Sequence, residues 1–317
     1  MLNDNMAPDA QILPFYLASG SDDVALIRGR IASVGKPANT ILQRHAYPSV
    51  VARLQAEALA LTACLSSTLK FEGVFTLQAK GDGLVRTLFA DINNDGHLRG
   101  YAAFNDDLEA LRGFEGAADG DDMVSLGAVM GDGYIAFTVD EQNTGGRYQG
   151  IVELDREGLD MAAVRWFENS EQLDTVVICA AGQRQAGWQA VALMLQRVAA
   201  EGGAGGGSPM KDEASRVASD DAWHTAKTLM HSVTRDELLD PHLSPEAIVF
   251  RLFNSMDPHS APARPVLDQC RCSTDKVEAM LRQLDDTDLA DLADDDGALQ
   301  VLCEFCKAER RFQKDQI

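Results

Sequence analysis

Apolar positions between 51 and 69 recur at helical spacing. Val51, Leu54, Ala58, Leu61 and Leu65 share one face, so "VARLQAEALALTACLSSTL" predicts an amphipathic helix with one buried face and Cys64 inside it. The period then drops to two. "VFTLQA", "LVRTLFA" and "LRGYAAF" alternate as strands separated by "KGDG" and "DINNDG", and "YIAFTV" and "YQGIVEL" follow after "MGDG" with the turn-rich "DEQNTGG" between them. These segments predict an antiparallel meander. Residues 157–169 return to a helical period, "TVVICA" reads as a buried strand holding Cys179, and "WQAVALMLQRVAA" at 188–200 suits a helix.

The pattern breaks at 201–209, where "EGGAGGGSP" is too glycine-rich to pack and is expected to be a flexible connector. Beyond it, Trp223, Ala226, Met230 and Val233 form one helical face. "SPEAIVFRLF" predicts a second helix, with Ser244 as N-cap, Pro245 at the first position and Ile248, Val249, Leu252 and Phe253 on one side. Two such helices cannot bury a core alone, so their apolar faces need a partner. Pro258, Pro262 and Pro265 precede a last segment in which Ser273 caps a helix with Val277, Met280, Leu281 and Leu284 on one face, and "ALQVLC" alternates as a strand. The predicted fold class is α+β: an antiparallel-sheet core domain with packed helices over 1–200, a connector and helical linker over 201–262, and a small C-terminal domain over 263–317.

The length of 317 residues, with 45% hydrophobic and 24% charged residues, fits a soluble globular chain with two domains or one large domain and an appendage. The 49 acidic against 28 basic side chains give a net charge of -21, which repels phosphate backbones and anionic lipid. Neither nucleic acid nor membrane is an expected partner. "MLNDNMAPDAQILPFYL" lacks the pattern of a secretory signal, and "AEALALTACL" is broken by polar residues before membrane-spanning length, so a cytoplasmic location is expected. In that reducing compartment, closely paired cysteines point to a metal or to redox chemistry.

Cys270, Cys272, Cys303 and Cys306 form Cys-x-Cys, thirty residues, then Cys-x-x-Cys. Two short-range pairs around a foldable insert suit a tetrahedral zinc site, because each pair supplies two thiolates at little cost in chain entropy. A thioredoxin-like dithiol would need its pair at a helix start in a βαβ setting. Here a strand-like run precedes Cys303 and "KAERRF" follows Cys306. Unrelated free thiols would rarely arrive as two pairs so close together, and spacing leaves a purely structural zinc module and a redox-active one both open. Cys64 and Cys179 read as small buried hydrophobes. "DINNDG" offers Asp91, Asn93, Asp95 and Gly96 at calcium-loop positions but has Ala102 at the twelfth, and "DDTDLADLADDDG" fails with Leu292 at the first and Cys303 at the twelfth. They read as a hairpin turn and solvated acid. "KGDG" and "MGDG" lack a phosphate-loop pattern. His45, His97, His224, His231, His242 and His259 form no catalytic arrangement. No catalytic residue, and no enzyme, is expected.

Taken with "LKFEGVFTLQAKGDG" at 69–83, "GRYQGIVEL" at 146–154 and "FENSEQLDT" at 167–175, the cysteine module resembles the 33 kDa chaperonin family, the redox-regulated heat-shock holdases. The resemblance runs from "ILPFYL" onward. It implies an α+β substrate-binding core, a helical linker and a C-terminal zinc-binding switch domain. Cys270, Cys272, Cys303 and Cys306 would bind one zinc ion per chain when reduced. Oxidation would pair Cys270 with Cys272 and Cys303 with Cys306, zinc would leave, the linker would unfold, and a homodimer would hold unfolding client proteins under stress without ATP. Trp223, Met230, Ile248, Leu252 and Phe253 would dock on the core sheet until then, and their release would expose a client-binding surface. Two other function classes compete: a zinc-stabilised interaction module without redox control, and a thiol-disulfide oxidoreductase. Three departures from the family pattern stand out. Lys307 follows the last cysteine where glycine is common, so strain is expected in that turn. Trp188 replaces a usual glycine in "AGWQ", and "EGGAGGGSP" is longer than expected. None touches the four cysteines.

Overall fold

The period-two segments form β3 (Gly73–Gly81), β4 (Val85–Asn93), β5 (His97–Phe104), β6 (Gly133–Glu141) and β7 (Arg147–Leu154), paired antiparallel in the order β5-β4-β3-β6-β7. These and the elements below come from a computed structural model that describes residues 10–18, 25–68, 72–105, 107–112, 114, 125–142, 145–154, 157–198, 213–294 and 296–313. The expected connector at 201–209 lies outside them. "DINNDG" closes the β4–β5 hairpin: Asn93 Oδ1 accepts the N–H groups of His97 at 2.9 Å and Asp95 at 3.2 Å, and Gly96 takes a φ of 80°. Asp91 is committed to Arg99 at 2.9 Å.

A second sheet of six strands contains β1 (Gln11–Ala18), β2 (Ala25–Ser33), β8 (Thr175–Arg184) and β9 (Gly187–Arg197), in the order β1-β2-β9-β8. Residues 188–200 were expected to be helical, and β9 corrects that reading. The strand pairs with β2 on one side and β8 on the other. Leu193 and Leu195 face one apolar cluster while Ala192 and Met194 face another. A strand buried on both faces shows a continuous apolar run, which periodicity cannot tell from a helix.

Between the sheets runs helix α2 (Ser49–Ser66), preceded by α1 (Gly35–His45). It touches strands of both sheets, and every residue from Val50 to Leu65 is buried. The expected single buried face is therefore too narrow, because a helix enclosed by two sheets has no solvent side. Among the described residues, the first two hundred positions also hold the helices α3 (Leu108–Arg112), α4 (Leu126–Met130) and α5 (Leu159–Ser170). Trp166 of α5 stacks on Phe137 with centroids 4.8 Å apart.

The outer face of the second sheet is covered by α6 (Glu213–His231), α7 (Arg235–Leu238) and α8 (Pro245–Phe253). Ser244 caps α8 as expected, accepting the Ala247 N–H at 3.2 Å. Trp223, Met230, Ile248 and Phe253 are buried, and Leu252 partly so, in one cluster with Leu13, Phe15, Ile31, Val191 and Leu193 of the sheet. Phe253 stacks on Phe15 at 5.7 Å. Polar contacts fix the same interface: Arg184 pairs with Asp236 at 2.7 Å, Arg197 pairs with Asp220, and Arg235 donates to the Ala181 carbonyl. Three short strands follow. β10 (Pro258–Ser260) and β11 (Arg264–Pro265) pair with β1, and β12 (Leu267–Asp268) pairs parallel with β5. All of this lies in one compact unit, Met1–Asp268.

Gln269–Ile317 forms a second unit. It contains α9 (Thr274–Leu281), α10 (Asp286–Leu292) and the antiparallel pair β13 (Ala298–Leu302) and β14 (Glu309–Gln313). Its apolar cluster is small: Leu281, Leu289, Leu299 and Phe312 are buried, with Val277 and Leu284 packed against them. Met280, expected on that inner face, is 50% exposed. On α9 it stands one residue before Leu281, about 100° round the helix from the residue that fills the core.

Candidate metal centre

Local chemistry brings the four cysteines together. Cys270 and Cys272 lie just before α9, whose start is fixed by Ser273 Oγ accepting the Lys276 N–H at 3.2 Å. Lys276 Nζ donates to the Arg271 carbonyl between the two cysteines at 2.9 Å. Cys303 ends the run out of β13, and Cys306 sits in the turn into β14. That turn is closed by Cys303 N–H donating to Ala308 at 3.0 Å and Lys307 N–H donating to Cys303 at 2.8 Å. Lys307 takes the left-handed conformation, φ 54°, so the strain expected from a non-glycine residue is present.

The four Sγ atoms lie within 4.8 Å of one another, close enough to hold one metal ion. Among the described residues, no other group of three or more His, Cys, Asp or Glu could do so. Two sulfur contacts run across the two motifs, Cys270 to Cys303 at 3.8 Å and Cys272 to Cys306 at 3.4 Å. Arg310 Nη2 donates to Cys272 Sγ at 3.2 Å. Burial opposes ionisation of Cys272, yet the hydrogen bonds from Cys270, Cys306 and Arg310 outweigh it and bring its pKa down to about 7. Burial and the bond to Cys272 push Cys306 up to about 12, and burial raises Cys270 as well. Thiolate is the form in which these cysteines would ligate a metal ion.

Cys64 and Cys179 differ from these four. Both are buried in the first unit, where burial pushes Cys64 up to about 12 and raises Cys179 well above the ordinary thiol range. They pack as inert hydrophobes. The acidic run is structural: Asp285 caps α10, and Asp294 Oδ1 accepts the N–H groups of Asp296 and Ala298 at 3.0 and 2.9 Å. Arg310 went unnoticed in the sequence. Its only signal is alternation in "ERRFQ", which puts it on the same strand face as buried Phe312.

Fold and site define a two-sheet α+β protein that carries a separate four-cysteine unit able to hold a metal ion. The model of the Hsp33 protein family matches residues 16–313. A 33 kDa chaperonin of Caulobacter vibrioides is 32% identical over 308 residues, covering 95% of this chain and 96% of its own. A 33 kDa chaperonin of Proteus mirabilis is 31% identical over 291 residues, covering 92% and 90%. The solved structure of the 33 kDa chaperonin of Thermotoga maritima shares the fold with a TM-score of 0.73 at 17% identity, over 96% of this chain and 95% of that one. The chain belongs to the Hsp33 family of chaperones.

Proposed function

We propose that this chain is a redox-switched, ATP-independent holdase in which one zinc ion, held by Cys270, Cys272, Cys303 and Cys306, keeps a client-binding surface covered. The observation that carries the reading is the four-sulfur cluster in a unit whose apolar cluster, among the described residues, is built on Leu281, Leu289, Leu299 and Phe312. Zinc–thiolate bonds of about 2.3 Å put tetrahedral sulfurs about 3.8 Å apart. Separations of 3.8 and 3.4 Å fit that donor set. Zinc supplies folding free energy, on the order of 10 kcal/mol, which so small a core cannot replace.

Oxidation converts thiolates to disulfides, Cys270 with Cys272 and Cys303 with Cys306. Such short loops restrain the chain too little to restore the unit. With Cys270, Cys272, Cys303 and Cys306 oxidised, the unit would lose the ligands that hold zinc and unfold, and the linker would lose its brace. Functionally the chain then divides into a core over 1–200, a linker over 201–262 and a switch over 263–317. Undocking of Trp223, Met230, Ile248, Leu252 and Phe253 uncovers them together with Phe15, Ile31 and Leu193, an apolar surface suited to unfolding proteins. The activated form is a homodimer that turns over no substrate, and a reducing cytoplasm is the setting that keeps its thiols ready. No helix among the described residues is long and apolar enough to cross a membrane.

Zinc content and suppression of client light scattering, measured on one sample before and after peroxide at a mildly unfolding temperature, test this. Loss of one zinc per chain together with gain of suppression is expected. Zinc retained with activity unchanged would leave a zinc-stabilised interaction module, and turnover of a model disulfide would mark an oxidoreductase. A disulfide map of the oxidised chain separates pairing within the motifs from pairing across them.

A further inference from the structure

Two adjacent arginines on β14 have different partners. Arg311 pairs with Asp294 at 2.7 Å and Asp296 at 3.4 Å in the acidic turn. Arg310, opposite Val301 of β13, reaches the sulfur cluster instead. Its Nη2 donates to Cys272 Sγ at 3.2 Å, and its Nη1 is buried with no hydrogen-bond partner among the described residues. Four thiolates around a divalent ion leave roughly two negative charges. A guanidinium N–H aimed at one sulfur offsets part of that charge and engages a lone pair that would otherwise attack an oxidant.

We propose that Arg310 is a positioning residue of the metal centre, holding Cys272 on the ion and slowing its attack on peroxide, and so sets the oxidant threshold for zinc release. This rests on the zinc reading above. In the step concerned, the Cys272 thiolate attacks a peroxide oxygen, the O–O bond breaks, hydroxide leaves and a sulfenic acid forms. A second thiolate displaces hydroxide from that sulfur to make the S–S bond. Two electrons pass to the peroxide, two protons from the buffer turn both hydroxides into water, and the oxidised sulfurs no longer serve as thiolate ligands for the ion. The sulfur loses its negative charge along this path, so the Arg310 contact is stronger in the reactant than in the transition state and raises the barrier.

In the zinc-loaded full chain, Arg310→Met removes the donors, Arg310→Lys keeps the charge without the fork, and Arg311→Met is the control. Peroxide-driven zinc release is followed with a colorimetric chelator, and thiol modification by peptide mass mapping. Arg310→Met should release zinc roughly 10-fold faster, with the excess modification on Cys272. Arg310→Lys should fall between it and the wild type, and Arg311→Met should match the wild type. Equal rates for the wild type and Arg310→Met, or equal acceleration by Arg311→Met, overturn the proposal. Should Arg310→Met take up no zinc, Arg310→Lys decides by the same comparison: faster release upholds the proposal, and an unchanged rate overturns it. A wild-type chain that holds no zinc removes the zinc reading itself. A zinc-loaded wild type whose release ignores Arg310 removes only the role of Arg310.

Discussion

Glu57 is an ionisable residue buried in the fold. Burial on α2 raises its pKa from 4.5 to about 7, against the pull of Arg53 and Arg235 and with help from Asp160, and its Oε1 has no hydrogen-bond partner among the described residues. A carboxyl with a raised folded pKa binds its proton more tightly in the fold than in the unfolded chain. Its contribution is therefore fully favourable below pH 4.5 and is lost as the pH rises through about 7. Glu57→Gln should gain on the wild type between pH 5 and pH 8 by up to roughly 3 kcal/mol. Urea midpoints of both proteins at the two pH values measure this, and a difference that does not change with pH would sink it. Lys307 holds backbone strain, at φ 54°. Lys307→Gly should relieve about 1 kcal/mol, more than its exposed pair with Glu304 contributes. The metal-loaded C-terminal unit of the variant should surrender its metal to a chelator more slowly. A faster loss would show that the turn is not strained.

Among the elements, α8 is where docking is most exposed to a single change. Phe253 is fully buried against Phe15, so Phe253→Ala should weaken docking by about 3 kcal/mol. Hydrogen exchange should quicken in α8 while β2 and β9 stay protected, and the reduced protein should begin to suppress client scattering. Uniform exchange across all three elements would contradict a separable linker. Much of this was legible as local chemistry: the caps at Ser244 and Ser273, the Asn93–Gly96 turn, and the four cysteines. What escaped has a common cause in tertiary surroundings. β9 and α2 are enclosed on every side, and enclosure erases the polar half of the pattern from which an element type is read. The strands β10 to β12, two or three residues each among prolines, have no period to show. Arg310 depends on the register of β14, and that register is a pairing fact that no single strand contains.

For the whole molecule, the two compact units predict unequal responses to metal loss. Chelation under reducing conditions should strip protection from α9, β13 and β14, whose apolar cluster is four buried side chains, while α2 and the central strands around it keep theirs. Equal loss throughout, read by hydrogen exchange, would refute that division. The topology of the first unit also has a consequence for synthesis. Gln11 pairs with Pro265, Ile12 with Arg264 and Phe15 with Ser260. Residues 11–18 leave the ribosome long before residues 258–265, and at roughly 5–20 residues per second the wait is about 10 to 50 seconds. Through that interval β1 has β2 beside it and an open outer edge, the kind of edge that recruits stray strands. The nascent chain thus depends for its own safety on the same late segment that covers the finished sheet.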